Sequence, residues 1–239
     1  MTNDEQNLII ELTERFKVIY QQEYLRYFLD IIRNNNELIM GNVGKCKKYY
    51  VIPLLSKEDI GKVKSSSFLW YGLKTTEIQY ESFFSGKELL FREKPDNLSN
   101  KINDNSEAIL ILIDDYIGSG ETAVSAVEYC MLQGIKKEKI VIIVLAAQEI
   151  GLRCLKDKGL QVYTNICLKR GINDYYQDAE LKKAIKVMMG IEQKINVSDE
   201  FLFGYKKSEA LISLSRTPNN TFPIFWLENT SYKIAPFPR

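Results

Sequence analysis

Residues 108–123 read AILILIDDYIGSGETA and concentrate the chain's chemistry. Asp114 and Asp115 are adjacent carboxylates, able to hold a pair of hydroxyls and to stabilise positive charge between them. Gly118, Ser119 and Gly120 follow. Glycines permit positive φ and close backbone approach, so several N–H groups can point at one anion. Ser119 and Thr122 add hydroxyl donors around Glu121, and a helix starting near Thr122 turns its positive dipole end toward the loop. An anion cradle thus lies three to eight residues beyond a diol-binding acid pair. Ribose 5-phosphate has the same layout, with phosphate at one end and two hydroxyls at the other.

The elements that must position these groups can be read from hydrophobic pattern. Residues 108–113 form a short continuous apolar run, the mark of a strand buried on both faces. That strand delivers the acids to its carboxyl end, where open parallel sheets bind ligands. Neighbouring strand residues point to opposite faces, but a backbone that turns at the strand end lets both acids reach one ligand. Residues 122–132 predict a helix stopped by Gly134. A second buried strand is expected over 140–147, a helix over 148–158 with its stop at Gly159, and a third strand over 160–168. The order β-α-β-α-β predicts a parallel-sheet α/β core.

Upstream, KYYVIPLL (48–55) predicts a strand with Pro53 near its end or edge. The polar, basic stretch SKEDIGKVKSSS follows, then a second strand-like run over 68–71. Residues 91–107 are almost wholly polar and predict a loop. Apolar residues at helical spacing predict one or two amphipathic helices over 5–33, ended by Asn34, Asn35 and Asn36. Beyond Gly171 come a helix over 179–189 and an aromatic, proline-bearing tail. With no internal repeat or low-complexity linker, the chain divides into a core of about 46–170 and a cover from 1–45 and 171–239 within a single domain.

Composition narrows the chemistry. The 239 residues are 45% hydrophobic and 26% charged, with 32 basic against 31 acidic side chains and a net charge of +1. Neither nucleic acid nor an anionic membrane is signalled as a partner. There is no histidine, which excludes imidazole acid–base chemistry, Ser-His-Asp triads and histidine metal sites. Cys46, Cys130, Cys154 and Cys167 are too widely spaced for a zinc knuckle or redox dithiol. An acidic N-terminus and apolar runs far shorter than a membrane span lead us to expect a soluble cytoplasmic protein.

The acid pair after a buried strand, followed by YIGSGET, resembles the signature of type I phosphoribosyltransferases, which bind 5-phosphoribosyl 1-pyrophosphate (PRPP). That signature is an apolar run, two acids, three variable positions, Thr or Ser, Gly, one variable position, and Thr or Ser. Every defining position is matched. The resemblance implies a type I phosphoribosyltransferase-like fold with a helical and irregular hood from the two terminal segments. It implies catalytic roles for Asp114 and Asp115 at the ribose, and 5′-phosphate contacts from Gly118, Ser119, Gly120, Glu121 and Thr122. It also implies a pyrophosphate loop after an earlier strand, for which Lys62, Lys64, Ser65 and Ser66 are suited; a plain solvated loop is the other reading. Mg²⁺ would arrive with the substrate, with no direct protein ligand. Segment 91–107 stands where family members carry a closing loop, and a plain mobile loop fits it as well.

FGYKKSEALISLSRTPNNTFPIFW (203–226) resembles the C-terminal part of phosphoribosyltransferase-like domains from bacterial conflict and anti-phage gene clusters, which sit beside ATPases or reverse transcriptases. Phe203, Tyr205, Phe225 and Trp226 suit core packing better than base stacking. Asn219 and Asn220 suit a turn, or a pocket. Three functions follow: a Mg²⁺- and PRPP-dependent transferase, a non-catalytic PRPP or nucleotide sensor in an antiviral defence assembly, and a structural protein with an empty pocket. Relatives of this type are often homodimers. The acceptor base carries no signal.

Overall fold

In chain order the elements are helix α1 (Asn3–Glu14), strand β1 (Lys17–Val18), α2 (Tyr24–Asn34), α3 (Asn36–Met40), α4 (Asn42–Lys45), β2 (Lys48–Pro53), α5 (Ser65–Gly72) and α6 (Thr76–Gln79). Then follow β3 (Glu88–Phe91), α7 (Ser99–Asn103), β4 (Ala108–Ile117), α8 (Glu121–Leu132), β5 (Ile140–Gln148), α9 (Glu149–Asp157), β6 (Gln161–Tyr163), β7 (Ile166–Leu168), α10 (Asp178–Lys194) and β8 (Ile212–Ser213). The computed structural model describes every residue except 60, 63 and 229–234. The chain forms two units, one of residues 22–147 and 151–167, the other of 1–21, 148–150 and 168–239.

The larger unit is built on a parallel sheet in the order β3-β2-β4-β5-β6, with β7 also paired to β5. The apolar runs become its centre because β4 and β5 are covered on both faces, so no polar alternation is needed. Leu110, Leu112, Ile142 and Val144 pack with Ala126, Val127 and Cys130 of α8. Fully burying one such Leu or Ile stabilises the fold by about 1.5–3 kcal/mol. Pro53 closes β2, where the ladder ends and its missing N–H costs nothing. The chain steps from β2 to β3 on one side and then returns to lay β4 on the other, with β5 and β6 continuing that way. The order reverses between β2 and β4, and their carboxyl ends flank the crevice where such sheets bind ligands.

Three sequence expectations change. Residues 68–71 are helix, not strand: Ser66, Leu69, Trp70 and Leu73 are buried at helical spacing in α5 and its C-cap, and the Trp70 indole donates to the Val51 carbonyl at 3.0 Å. Segment 91–107 is anchored rather than open. Leu98 and Ile102, 2% and 0% exposed, enter the core four residues apart, as N-cap and interior residue of α7 (Ser99–Asn103). The expected strand over 160–168 is two strands, since Thr164 accepts the Ile166 N–H at 3.3 Å and donates to the Leu145 carbonyl at 3.2 Å, turning the backbone locally. Strand β3, which pairs β2 from Lys48↔Glu88 to Val51↔Phe91, was not expected at all.

In the smaller unit β1 pairs with β8 in parallel, and Leu8, Leu12, Met188, Ile191, Phe222 and Phe225 form the core. The tail aromatics pack there: Phe203 meets Phe222 edge-on at 6.3 Å, and Trp226 donates to the Thr221 carbonyl at 2.7 Å. Asn220 is a packing residue, donating to Ser208 Oγ at 3.1 Å. Glu192 is fully buried and accepts the Phe203 N–H at 2.9 Å. Burial pushes its carboxyl up to about 7; the Phe203 N–H works against that and Glu209 adds to it. A carboxyl raised above its unfolded value binds more protons folded than unfolded. Its stability cost is therefore absent below the ordinary glutamate range and complete above about pH 7. Glu192→Gln keeps an acceptor for Phe203 and is expected to gain about 3 kcal/mol over wild type at pH 8, and nothing at pH 4. Denaturant unfolding of both proteins across that range measures it.

Candidate functional site

The crevice between the carboxyl ends of β2 and β4 belongs to the larger unit. Strand β4 does not stop at 113; it runs on to Ile117, carrying both acids within it. Its pairing with β5 passes from Asp114↔Val144 to Tyr116↔Ala146 and leaves out Asp115. Ala108, Leu110 and Leu112 line one core, and odd-numbered Ile117 joins that same core. The carboxyls of the neighbouring Asp114 and Asp115 interact with each other. Asp114 Oδ1 accepts the Asp115 N–H at 2.9 Å.

The two acids are not equivalent. Asp115 is 4% exposed and accepts a hydrogen bond from the Tyr24 hydroxyl at 2.9 Å. Asp114 keeps partial exposure. Burial first, and then the adjacent Asp115 carboxyl, push the Asp114 carboxyl well above the usual carboxylate range, while the Lys64 ammonium pulls it down.

Beyond Ile117 the chain bends sharply into α8. Gly120 adopts φ 87°, a left-handed conformation that L side chains rarely take, and serves as the N-cap with no side-chain capping hydrogen bond. The loop rests on α9: a Cβ on Gly120 would stand 3.1 Å from the Gly151 carbonyl oxygen, and a Cβ on Gly151 would stand 2.3 Å from the Gly118 carbonyl oxygen. Gly151 was not among the residues expected at the site. Its one sequence signal is a glycine inside a helical pattern, which marks close backbone approach. Gly118 and Gly120 are buried, Ser119 is partly exposed, and Glu121 and Thr122 are exposed at the start of α8.

From β2, the chain leads through a 3₁₀ turn at Lys57–Asp59, against which α8 packs. Asp59 pairs with Lys64 at 3.0 Å and Lys62 at 3.2 Å, and accepts from Ser56 Oγ at 3.2 Å. Burial pushes the Asp59 carboxyl up, but Lys64, Lys62 and Ser56 outweigh it and hold it below the usual range. Ser65 and Ser66 open α5, whose N-cap Lys64 makes no side-chain capping bond. Ser66 is 1% exposed, and its Oγ has no hydrogen-bond partner among the described residues. Both Lys62 and Lys64 are thus engaged by Asp59, an acid that sequence reasoning did not single out.

The arrangement offers a carboxylate pair, a glycine-shaped helix start and an ammonium group at one sheet edge, which suits an anionic sugar with hydroxyls. A family model described as PRTase-CE matches residues 1–239, in agreement with the resemblance carried by residues 108–123. No curated protein matches the chain. Among solved structures, APRTase from Giardia lamblia complexed with 9-deazaadenine is 15% identical, covering 61% of this chain and 79% of that one at a TM-score of 0.36. Purine phosphoribosyltransferase from Pyrococcus horikoshii Ot3 is 10% identical, covering 64% of this chain and 87% of that one at a TM-score of 0.32. Among the described residues no helix is long and apolar enough to cross a membrane.

Proposed function

The chain belongs to the PRTase-CE family, and from that premise we propose that it binds the Mg²⁺ complex of PRPP between the carboxyl ends of β2 and β4 and transfers the phosphoribosyl group with release of pyrophosphate. One observation carries this reading: the paired carboxyls of β4 and the glycine-shaped start of α8 lie at the reversal of strand order. Backbone N–H groups and hydroxyls of Gly118, Ser119, Gly120, Glu121 and Thr122 take the 5′-phosphate. Asp114 and Asp115 take the ribose hydroxyls.

In the reaction the C1–O bond to pyrophosphate breaks and its electron pair leaves with pyrophosphate, while a lone pair on the acceptor nitrogen forms the new bond to C1. Positive charge builds on the ribose as the first bond breaks, and the acid pair stabilises it. Lys62, Lys64, Ser65 and Ser66 receive the pyrophosphate, Ser66 supplying its unpartnered hydroxyl and the lysines exchanging Asp59 for the ligand.

Asp114 and Asp115 are hard oxygen donors, and no group of three His, Cys, Asp or Glu side chains able to hold a metal occurs among the described residues. This donor set suits Mg²⁺ that keeps most of its ligands from substrate and water. When bound, the ion supplies charge neutralisation for the departing pyrophosphate.

The test is pyrophosphate release from PRPP and Mg²⁺ across a panel of bases and nucleotides, run beside calorimetry. Release with at least one acceptor is expected; neither release nor binding heat with any would end the proposal. A second reading, a PRPP or nucleotide sensor without turnover, is favoured by the burial of Asp115 against Tyr24 and the engagement of both lysines by Asp59. Binding heat without release would select it. On that reading the resemblance of residues 203–226 makes the chain a subunit of an anti-phage assembly, with an ATPase or reverse transcriptase as its partner.

A further inference from the structure

The connection between β2 and α5 carries an anion of its own. Asp59 ends the 3₁₀ turn at Lys57–Asp59. Its backbone N–H donates to the Ser56 carbonyl at 3.1 Å, and the Ser56 hydroxyl donates to its Oδ2 at 3.2 Å, so the turn itself fixes the carboxyl. The other oxygen, Oδ1, takes both ammonium groups, Lys64 at 3.0 Å and Lys62 at 3.2 Å. Two positive charges therefore converge on one atom of a group that carries a single negative charge. The Asp59 side chain is 20% exposed, whereas those of Lys62 and Lys64 are open to solvent at 60% and 45%, so an incoming anion can reach the lysines. Ion pairs this exposed are individually weak. A pyrophosphate group brings more negative charge and several strong acceptor oxygens, and is the better bridge between two ammonium groups.

We propose that Asp59 is an internal competitor for the ligand's pyrophosphate, holding Lys62 and Lys64 on its own carboxylate until a polyanion takes them. The contact is autoinhibitory. Each binding event breaks two ion pairs, and their return assists release when pyrophosphate leaves. An acid that merely oriented the lysines would act with the opposite sign, because its removal would weaken binding. The Ser66 hydroxyl in the first turn of α5 is 1% exposed and has no partner among the described residues, so this connection holds more donors than Asp59 accepts from. The role of Asp59 rests on the reading that Lys62 and Lys64 receive pyrophosphate.

The experiment is calorimetric titration of the full-length chain with inorganic pyrophosphate and Mg²⁺, in wild type, Asp59→Asn and Glu58→Gln, at low and high salt. Asparagine keeps an acceptor for the Ser56 hydroxyl and removes only the charge. Asp59→Asn is expected to bind pyrophosphate about three- to tenfold tighter at low salt, and the gap narrows as salt screens the ion pairs. Glu58→Gln removes a charge one residue away, outside these ion pairs, and should change affinity by less than about twofold. Equal or weaker binding by Asp59→Asn, or an equal gain in Glu58→Gln, would overturn the proposal. So would the absence of binding heat with pyrophosphate in both wild type and Asp59→Asn. The carboxyl-carbon NMR resonance of Asp59 in wild type serves even where the variant fails to fold: it is expected to shift as pyrophosphate saturates the protein, and a resonance that stays in place while pyrophosphate binds ends the role. PRPP is titrated in parallel. Wild type that binds PRPP while Asp59→Asn gains nothing leaves the phosphosugar reading standing without the competitor. Tighter pyrophosphate binding by Asp59→Asn in a protein that binds no PRPP ends that reading and keeps the competitor.

Discussion

Asp114→Asn combined with Asp115→Asn is expected to abolish pyrophosphate release, with a loss of more than about 100-fold, while the protein stays folded and Asp114→Asn alone grows more stable above neutral pH. The first part follows from the removal of both carboxyl groups beside the ribose ring, where electrostatic stabilisation of a developing charge is commonly the largest catalytic contribution. The second follows from the environment of Asp114. Burial and the neighbouring Asp115 raise its carboxyl well above the ordinary range. A raised acid costs stability as pH climbs from its unfolded value toward its folded one, and the cost persists above that window. Asparagine keeps the shape and an acceptor for the Asp115 N–H without the charge. Turnover assays and denaturant unfolding at pH 5 and pH 8 test both parts. A double variant with wild-type release would remove the acids from the mechanism. An Asp114→Asn protein less stable at pH 8 than wild type would show that the charge is not held at a cost. Residues kept at such a cost are characteristic of functional sites, where activity and stability conflict.

Gly151→Ala is the second large effect. The added carbon would stand 2.3 Å from the Gly118 carbonyl oxygen and 3.0 Å from the Ile117 side chain, so either the loop or α9 must shift by about 1 Å, at a cost of about 1–3 kcal/mol. The loop is the softer partner, and its N–H groups lose their common focus. Affinity for ribose 5-phosphate is expected to fall at least about tenfold, since a misplacement of this size costs far more than the lost contacts suggest. Gly72→Ala is the control: nothing lies within 4 Å of a Cβ there, and alanine in α5 should leave binding intact and raise stability by about 0.5–1 kcal/mol. Calorimetric titration with ribose 5-phosphate and thermal unfolding of both variants separate the two effects. Equal affinity in Gly151→Ala and wild type would mean that the loop does not hold the phosphate.

By itself the sequence determined the α/β class, the buried central strands, the helix after the loop, and the continuous stretch 108–122 with its acids and glycines. These are short-range features. Periodicity, glycine conformation and helix starts act over a few residues, so a contiguous stretch such as Asp114–Thr122 is legible without partners. Tertiary structure decided what depends on distant neighbours. Four residues, 68–71, cannot distinguish a strand from a helix; the wider spacing of Ser66, Leu69, Trp70 and Leu73 acquires meaning once β2 and β4 cover that face. The interaction between the Asp114 and Asp115 carboxyls is set inside the sheet, at neighbouring positions whose side chains a regular strand would send to opposite faces. Asp59, Gly151 and Tyr24 serve the crevice from other elements, and no local pattern connects a tyrosine at 24 with an aspartate at 115. Side-chain chemistry is written along the chain, whereas the pairing of charges is set by packing between elements far apart in it.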